Sequence, residues 1–170
     1  MSFGARVGTM AAVGAAMIAM PALAQDKAPD RLLDLTRPDI VADAVREAGY
    51  KAELKRNGKG DPYIVSAANG AAFTIEFYGC KPDSGCSSLQ FYTWFKKQPG
   101  FTPALANDWN ADKRFVKIYV DKDGDLGTSM DVTTVGRMTY ANFADVIDWW
   151  SVMTADLDSF IDKHDAGAAK

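Results

Sequence analysis

From Ala71 to Tyr78, and again from Ser88 to Phe95, the chain changes sides at almost every residue, a pattern that a strand can bury on one face and a helix cannot. In "AAFTIEFYG", Phe73, Ile75 and Phe77 point one way while Thr74, Glu76 and Tyr78 point the other. In "SLQFYTWFKK", Leu89, Phe91 and Phe95 share one face, and Gln90, Tyr92 and Trp94 share the opposite one. Two earlier stretches, "YKAELKRN" and "PYIVSAAN", keep the same period, joined by "NGKGD" and followed by Asn69-Gly70, the strongest short hairpin signal. These runs predict an antiparallel meander of three or four strands with one apolar face to cover.

Helical patterns supply the cover. "TRPDIVADAVREAGY" has Pro38 to start a helix, Asp39 and Asp43 near its positive end and Gly49 to stop it, with Ile40, Val41, Ala44, Val45 and Ala48 on one stripe. "TPALANDWNADK" reads as a short second helix, capped by Thr102 and opened by Pro103. The last helix starts from Thr139, and Phe143, Val146, Ile147, Trp150, Met153, Leu157, Phe160 and Ile161 form its broad apolar face. "RFVKIYV" and "LGTSMDVTT" add a strand pair. The expected order is α-β-β-β(-β)-α-β-β-α, an α+β domain with helices flanking an antiparallel sheet.

The N-terminus predicts export. Arg6 is followed by the apolar "VGTMAAVGAAMIAM" and by "PALA", so residues 1–24 read as a secretory signal peptide cleaved after Ala24, leaving Gln25 first. The apolar run is short for a membrane span, and no cysteine follows the cleavage point to carry a lipid. The expected product is periplasmic or secreted, with no stable membrane anchor. Residues 25–37 read as a flexible lead-in, 38–162 as the domain and 163–170 as a flexible tail. Without Arg6 the chain has 18 basic against 22 acidic residues, the wrong balance for a nucleic-acid partner.

In an oxidising compartment Cys80 and Cys86 of "CKPDSGC" are most simply a disulfide. The spacing is not that of a redox-active Cys-x-x-Cys pair, and a zinc site would need two more ligands, while the only histidine, His164, sits in the C-terminal tail. The aspartates of "YVDKDGDLGTSMDV" suggest calcium at first sight. Counted from Asp121, Asp123 and Asp125 fit, but Gly124 sits at the fourth position, Leu126 takes the place of the glycine and Val132 the place of the final glutamate. With strand-like flanks this is a hairpin turn, at most a weak surface site for calcium. No cofactor or metal is expected, and no nucleophile, base and orienting group come together in the sequence. A hydrolase with an unrecognised carboxylate pair is the weakest of the functional readings.

Aromatic residues supply the remaining clue. Tyr92 and Trp94 lie opposite the buried-side Phe91, and Trp149 adjoins Trp150. They read either as packing or dimer contacts, or as anchors for a protein or peptide partner. A small apolar ligand or lipid held between sheet and helices, in a cavity enclosed by Phe77, Phe91 and Trp150, is a separate alternative.

The order of "REAGYKAEL", "GDPYIVS", "FYGC…CSSLQF", "NDWN" and "RFVKIYVDKDGD", ending in a Trp-rich helix, resembles the YbjN domain family from about Pro38 to Phe160. The resemblance implies a fold similar to class I type III secretion chaperones, which are dimeric, non-enzymatic and bind extended segments of other proteins. It maps the NxWN element onto Asn107, Trp109 and Asn110. Physically, its asparagines can satisfy backbone groups at the helix end while Trp109 plugs the sheet; a binding role is the other reading. The chain is therefore expected to be a non-enzymatic, chaperone-like or regulatory module binding a protein or peptide of the cell envelope, with a homodimer as a further option. The candidate contact residues are Tyr92, Trp94, Asn107, Trp109 and Asn110.

Overall fold

The computed structural model describes residues 29–168, so the expected signal peptide and its cleavage point lie outside the described residues. The elements are β1 (Leu32–Leu33), α1 (Pro38–Glu47), β2 (Glu53–Arg56), β3 (Pro62–Ala68), β4 (Ala71–Tyr78), β5 (Ser88–Phe95), α2 (Pro103–Asp112), β6 (Lys117–Val120), β7 (Leu126–Thr133), β8 (Met138–Thr139) and α3 (Tyr140–Ala168). Six strands form one antiparallel sheet in the order β2-β3-β4-β5-β7-β6, and β1 pairs with β8 in a small second sheet. The α+β architecture is the expected one, with four strands in the first run. Among the described residues no helix is long and apolar enough to cross a membrane.

Turn chemistry fixes the register. Asn69 and Gly70 both take positive φ, 53° and 80°, which is what a two-residue hairpin with the right twist requires. That sets Ala68 against Ala71 and Ile64 against Ile75, so the apolar set of each strand lands on one face. The side chain of Asn69 also donates to the Ser151 carbonyl at 2.7 Å, tying the hairpin tip to α3.

The core lies between that face and the helices. Trp150 of α3 sits 5.6 Å from Phe73 and 5.7 Å from Phe91, and Phe143 lies 6.5 Å from Phe91, ring centre to ring centre. Phe91, Phe143 and Trp150 are essentially inaccessible. Phe77 is buried on the same side of the sheet. The predicted caps are in place: Thr102 Oγ1 accepts from the Leu105 amide, Thr139 Oγ1 accepts from Asn142, and Gly49 follows α1 at φ 92°.

The described parts of both ends carry regular structure. From Pro29 onward the lead-in is tied down: Arg31 forks onto Glu47 at 2.7 and 2.6 Å, and Leu33 and Leu35 are buried. A two-residue strand carries almost no periodicity, which is why β1 has no sequence signal. At the other end α3 continues past the boundary at 162 to Ala168, with the His164 ring 4.4 Å from Phe160.

The disulfide between Cys80 and Cys86 is formed, closing the loop between β4 and β5. Its base is pinned to the lead-in by the Cys86 N–H, which donates to the Thr36 carbonyl, and to the end of β7 by Thr134 Oγ1, which donates to the Cys86 carbonyl.

Candidate protein-binding face

Because side chains alternate along each strand, burying Phe73, Ile75, Phe91 and Met130 under helices leaves the other face of the sheet uncovered. That face carries five aromatic side chains from four strands: Tyr63, Tyr78, Tyr92, Trp94 and Tyr119. Trp94 is 52% exposed, Tyr78 45% and Tyr119 42%, while Tyr63 and Tyr92 are half-buried.

The register arranges them in rows across the strands. Tyr63, Glu76, Gln90 and Asp131 face one another in sequence across β3, β4, β5 and β7. Val65, Thr74, Tyr92, Ser129 and Lys117 form the next row, and Trp94, Gly127 and Tyr119 the one after. Gly127 is required there, because a Cβ at that position would lie 2.4 Å from the Tyr119 ring, which rests on the bare backbone. Hydrogen bonds fix the polar groups: Gln90 donates to Asp131 at 2.7 Å, and Tyr78 Oη donates to Glu76 at 3.0 Å.

Two of the phenols, those of Tyr78 and Tyr92, stay neutral well above physiological pH. Partial burial, then the hydrogen bond to Glu76, pushes Tyr78 up to about 12. Partial burial and the hydrogen bond with Tyr119 do the same for Tyr92, also to about 12. Two adjoining recesses open on this face. One, of about 450 Å³, is walled by Val65, Ala72, Tyr92 and Trp94. The other, of about 360 Å³, is walled by Asp61, Tyr63, Tyr78 and Glu76, and both share Thr74 and Glu76.

The remaining candidates are elsewhere. Trp109 is fully buried on the helical side, 5.3 Å from Phe160, with its indole N–H donating to the Val116 carbonyl at 2.9 Å. Asn110 does not cap its helix end, as expected of it; it donates to the Ile118 carbonyl at 2.9 Å and accepts from the Ile118 amide at 3.0 Å. A side-chain amide thus stands in for the missing neighbour of edge strand β6. Asn107 is exposed on α2, outside the strands that form the open face. Trp149 packs on Phe115, 4.6 Å away, where Phe115 is held at φ 67° beyond α2. Tyr92 and Trp94 are therefore joined by Tyr63, Tyr78 and Tyr119, whose signal was the same alternation but whose assembly depends on register between strands.

The edge role of Asn110 is measurable. Asn110→Ala should cost about 1–3 kcal/mol by orphaning two backbone groups of Ile118. It should also promote concentration-dependent self-association in size-exclusion chromatography, through the unguarded β6 edge.

The aspartates form the β6–β7 turn. Asp121 Oδ1 accepts from the amides of Asp123 and Asp125, Asp123 pairs with Lys122, and Asp125 accepts from the Lys97 amide. Each carboxylate has its own donor, and these hydrogen bonds hold Asp121 below the usual carboxylate range. Among the described residues no group of three His, Cys, Asp or Glu side chains could hold a metal ion.

Residues 37–163 match the family model described as "YbjN: Putative bacterial sensory transduction regulator". The chain belongs to the YbjN family. No curated protein matches its sequence. Among solved structures, this YbjN domain is similar to the Yersinia pestis type III secretion chaperone SycH, solved in complex with a stable fragment of YscM2. The identity is 13%, the match covers 74% of this chain and 98% of that one, and the TM-score is 0.45.

Proposed function

We propose that this YbjN domain is a non-catalytic module of the cell envelope that binds an extended segment of another protein on its open sheet face. The observation that carries the reading is the five-aromatic face itself, left bare by a fold that packs its helices on the other side. Tyrosine and tryptophan give large contact area with few torsions to freeze, and each keeps a polar group for the partner's backbone. Family membership supports a regulatory, binding role. The export signal read in residues 1–24 and the disulfide support the periplasm as its place of work.

The test uses the protein in intact cells, with a photo-cross-linking amino acid at Thr74, in the floor shared by both recesses. One dominant envelope protein should be captured. Trp94→Ala should reduce its capture roughly thirtyfold, the effect of losing about 2 kcal/mol at an aromatic anchor. The same change should cost little stability, since Trp94 is half in water. Cross-links to a second copy alone would assign the face to dimerisation. N-terminal sequencing of the periplasmic protein should begin at Gln25.

A further inference from the structure

The recess beside Tyr78 has a chemistry that limits what can fill it. Glu76 is half-buried at its centre, and among the described residues its carboxylate receives hydrogen bonds only from hydroxyls: Thr74 Oγ1 at 3.4 Å and Tyr78 Oη at 3.0 Å. Asp61, on the rim, accepts from the neutral amide of Asn57 at 3.1 Å. Among the described residues no lysine or arginine forms an ion pair with either carboxylate. The basic side chains on this face are engaged elsewhere: Lys55, opposite Tyr63, pairs with Glu53 at 3.1 Å, Lys117 leans toward Asp131 at 3.9 Å, and Lys96, 5.9 Å from the Trp94 ring, pairs with Asp125 at 3.4 Å.

Resting on the reading of this face as a protein-binding surface, we infer that the Glu76 recess takes a cationic side chain, arginine or lysine, from the bound segment. A neutral occupant would strip water from Glu76 and leave it without a counter-charge, which is strongly unfavourable. An anion would meet both Glu76 and Asp61. A cation gains the carboxylate, and the phenol rings of Tyr63 and Tyr78 offer π faces to it. The adjoining recess under Trp94 is more apolar, so the bound segment carries an apolar or aromatic residue next to its cation. An extended strand suits that spacing, because alternate side chains project to one side.

The probes are fluorescent peptides, acetyl-Ser-Tyr-Ser-Arg-Ser-Tyr-Ser-amide and its twin with arginine replaced by neutral, isosteric citrulline. On the wild-type protein the arginine peptide should bind about tenfold or more tightly, with the preference shrinking as salt is added. Glu76→Gln keeps the size and acceptor oxygen, and should reduce the preference to about twofold or less; Asp61→Asn, on the rim, should reduce it partly. Equal binding of both peptides, with both weakened by Trp94→Ala, would overturn the cation assignment and leave the binding face standing. A preference that survives Glu76→Gln in a protein of unchanged melting temperature would also overturn it. Failure of both peptides to bind at millimolar concentration would remove the binding face and the inference together.

Discussion

Trp109→Ala is expected to lower the unfolding free energy by about 3–5 kcal/mol, near the top of the range for a single core substitution. The indole is fully buried, packs on Phe160 of α3 and donates to the Val116 carbonyl, so its loss opens a cavity and orphans an acceptor at once. Denaturant titration followed by circular dichroism measures the change, and the melting temperature should fall by about 10 °C or more. Trp109→Phe separates the two causes: it restores most of the bulk but not the donor, and should cost about 1–3 kcal/mol. Capture of a partner, measured where each variant is fully folded, should be unaffected by both. A loss of capture without a loss of stability would return Trp109 to the binding residues, which its burial on the helical side opposes.

Gly85→Ala is expected to destabilise by about 3 kcal/mol or more. Gly85 has φ 69°, and a Cβ there would lie 2.5 Å from the Thr36 carbonyl oxygen, a backbone atom that cannot step aside cheaply. That carbonyl also receives the Cys86 amide, so the clash reaches the contact that seats the disulfide loop on the lead-in. The measurement is again denaturant titration, in oxidised protein. Gly136→Ala is the control, because it shares a positive φ of 83° but meets nothing within 4 Å; it should cost only about 1–2 kcal/mol. Equal losses at the two glycines would show that the loop gives way and that its seat on Thr36 is soft.

The strands were legible wherever alternation was long enough to see. Phe73, Ile75 and Phe77, or Leu89 and Phe91, state their faces directly, and Asn69-Gly70 states their hairpin. The two-residue strands β1 and β8 were not legible, since Leu32–Leu33 and Met138–Thr139 pair only because α1 and α3 bring them together. The candidate site divided in the same way. Tyr92 and Trp94 were readable as an outward pair within one strand. Tyr63 and Tyr119 joined them only through register across β3 to β6, which no local pattern encodes. The NxWN element misled for a related reason. Asn110 makes its hydrogen bonds eight residues away, on a strand edge whose need for a partner is visible only once the sheet order is known.

That sheet order has a consequence for synthesis. Strands β2 to β5 follow one another as neighbours, but the next partner of β5 is β7, with α2 and β6 intervening. Closing that gap of about 30 residues costs on the order of 3 kcal/mol in chain entropy before any pair of the ladder forms. A chain growing from its N-terminus therefore carries β5 with one flank unpaired until Thr133 has been made, and with Phe91 uncovered until α3 follows. Its nascent form is an open-edged meander, the shape most prone to join a neighbour, and safe passage depends on the β6–β7 hairpin arriving in time to seal it.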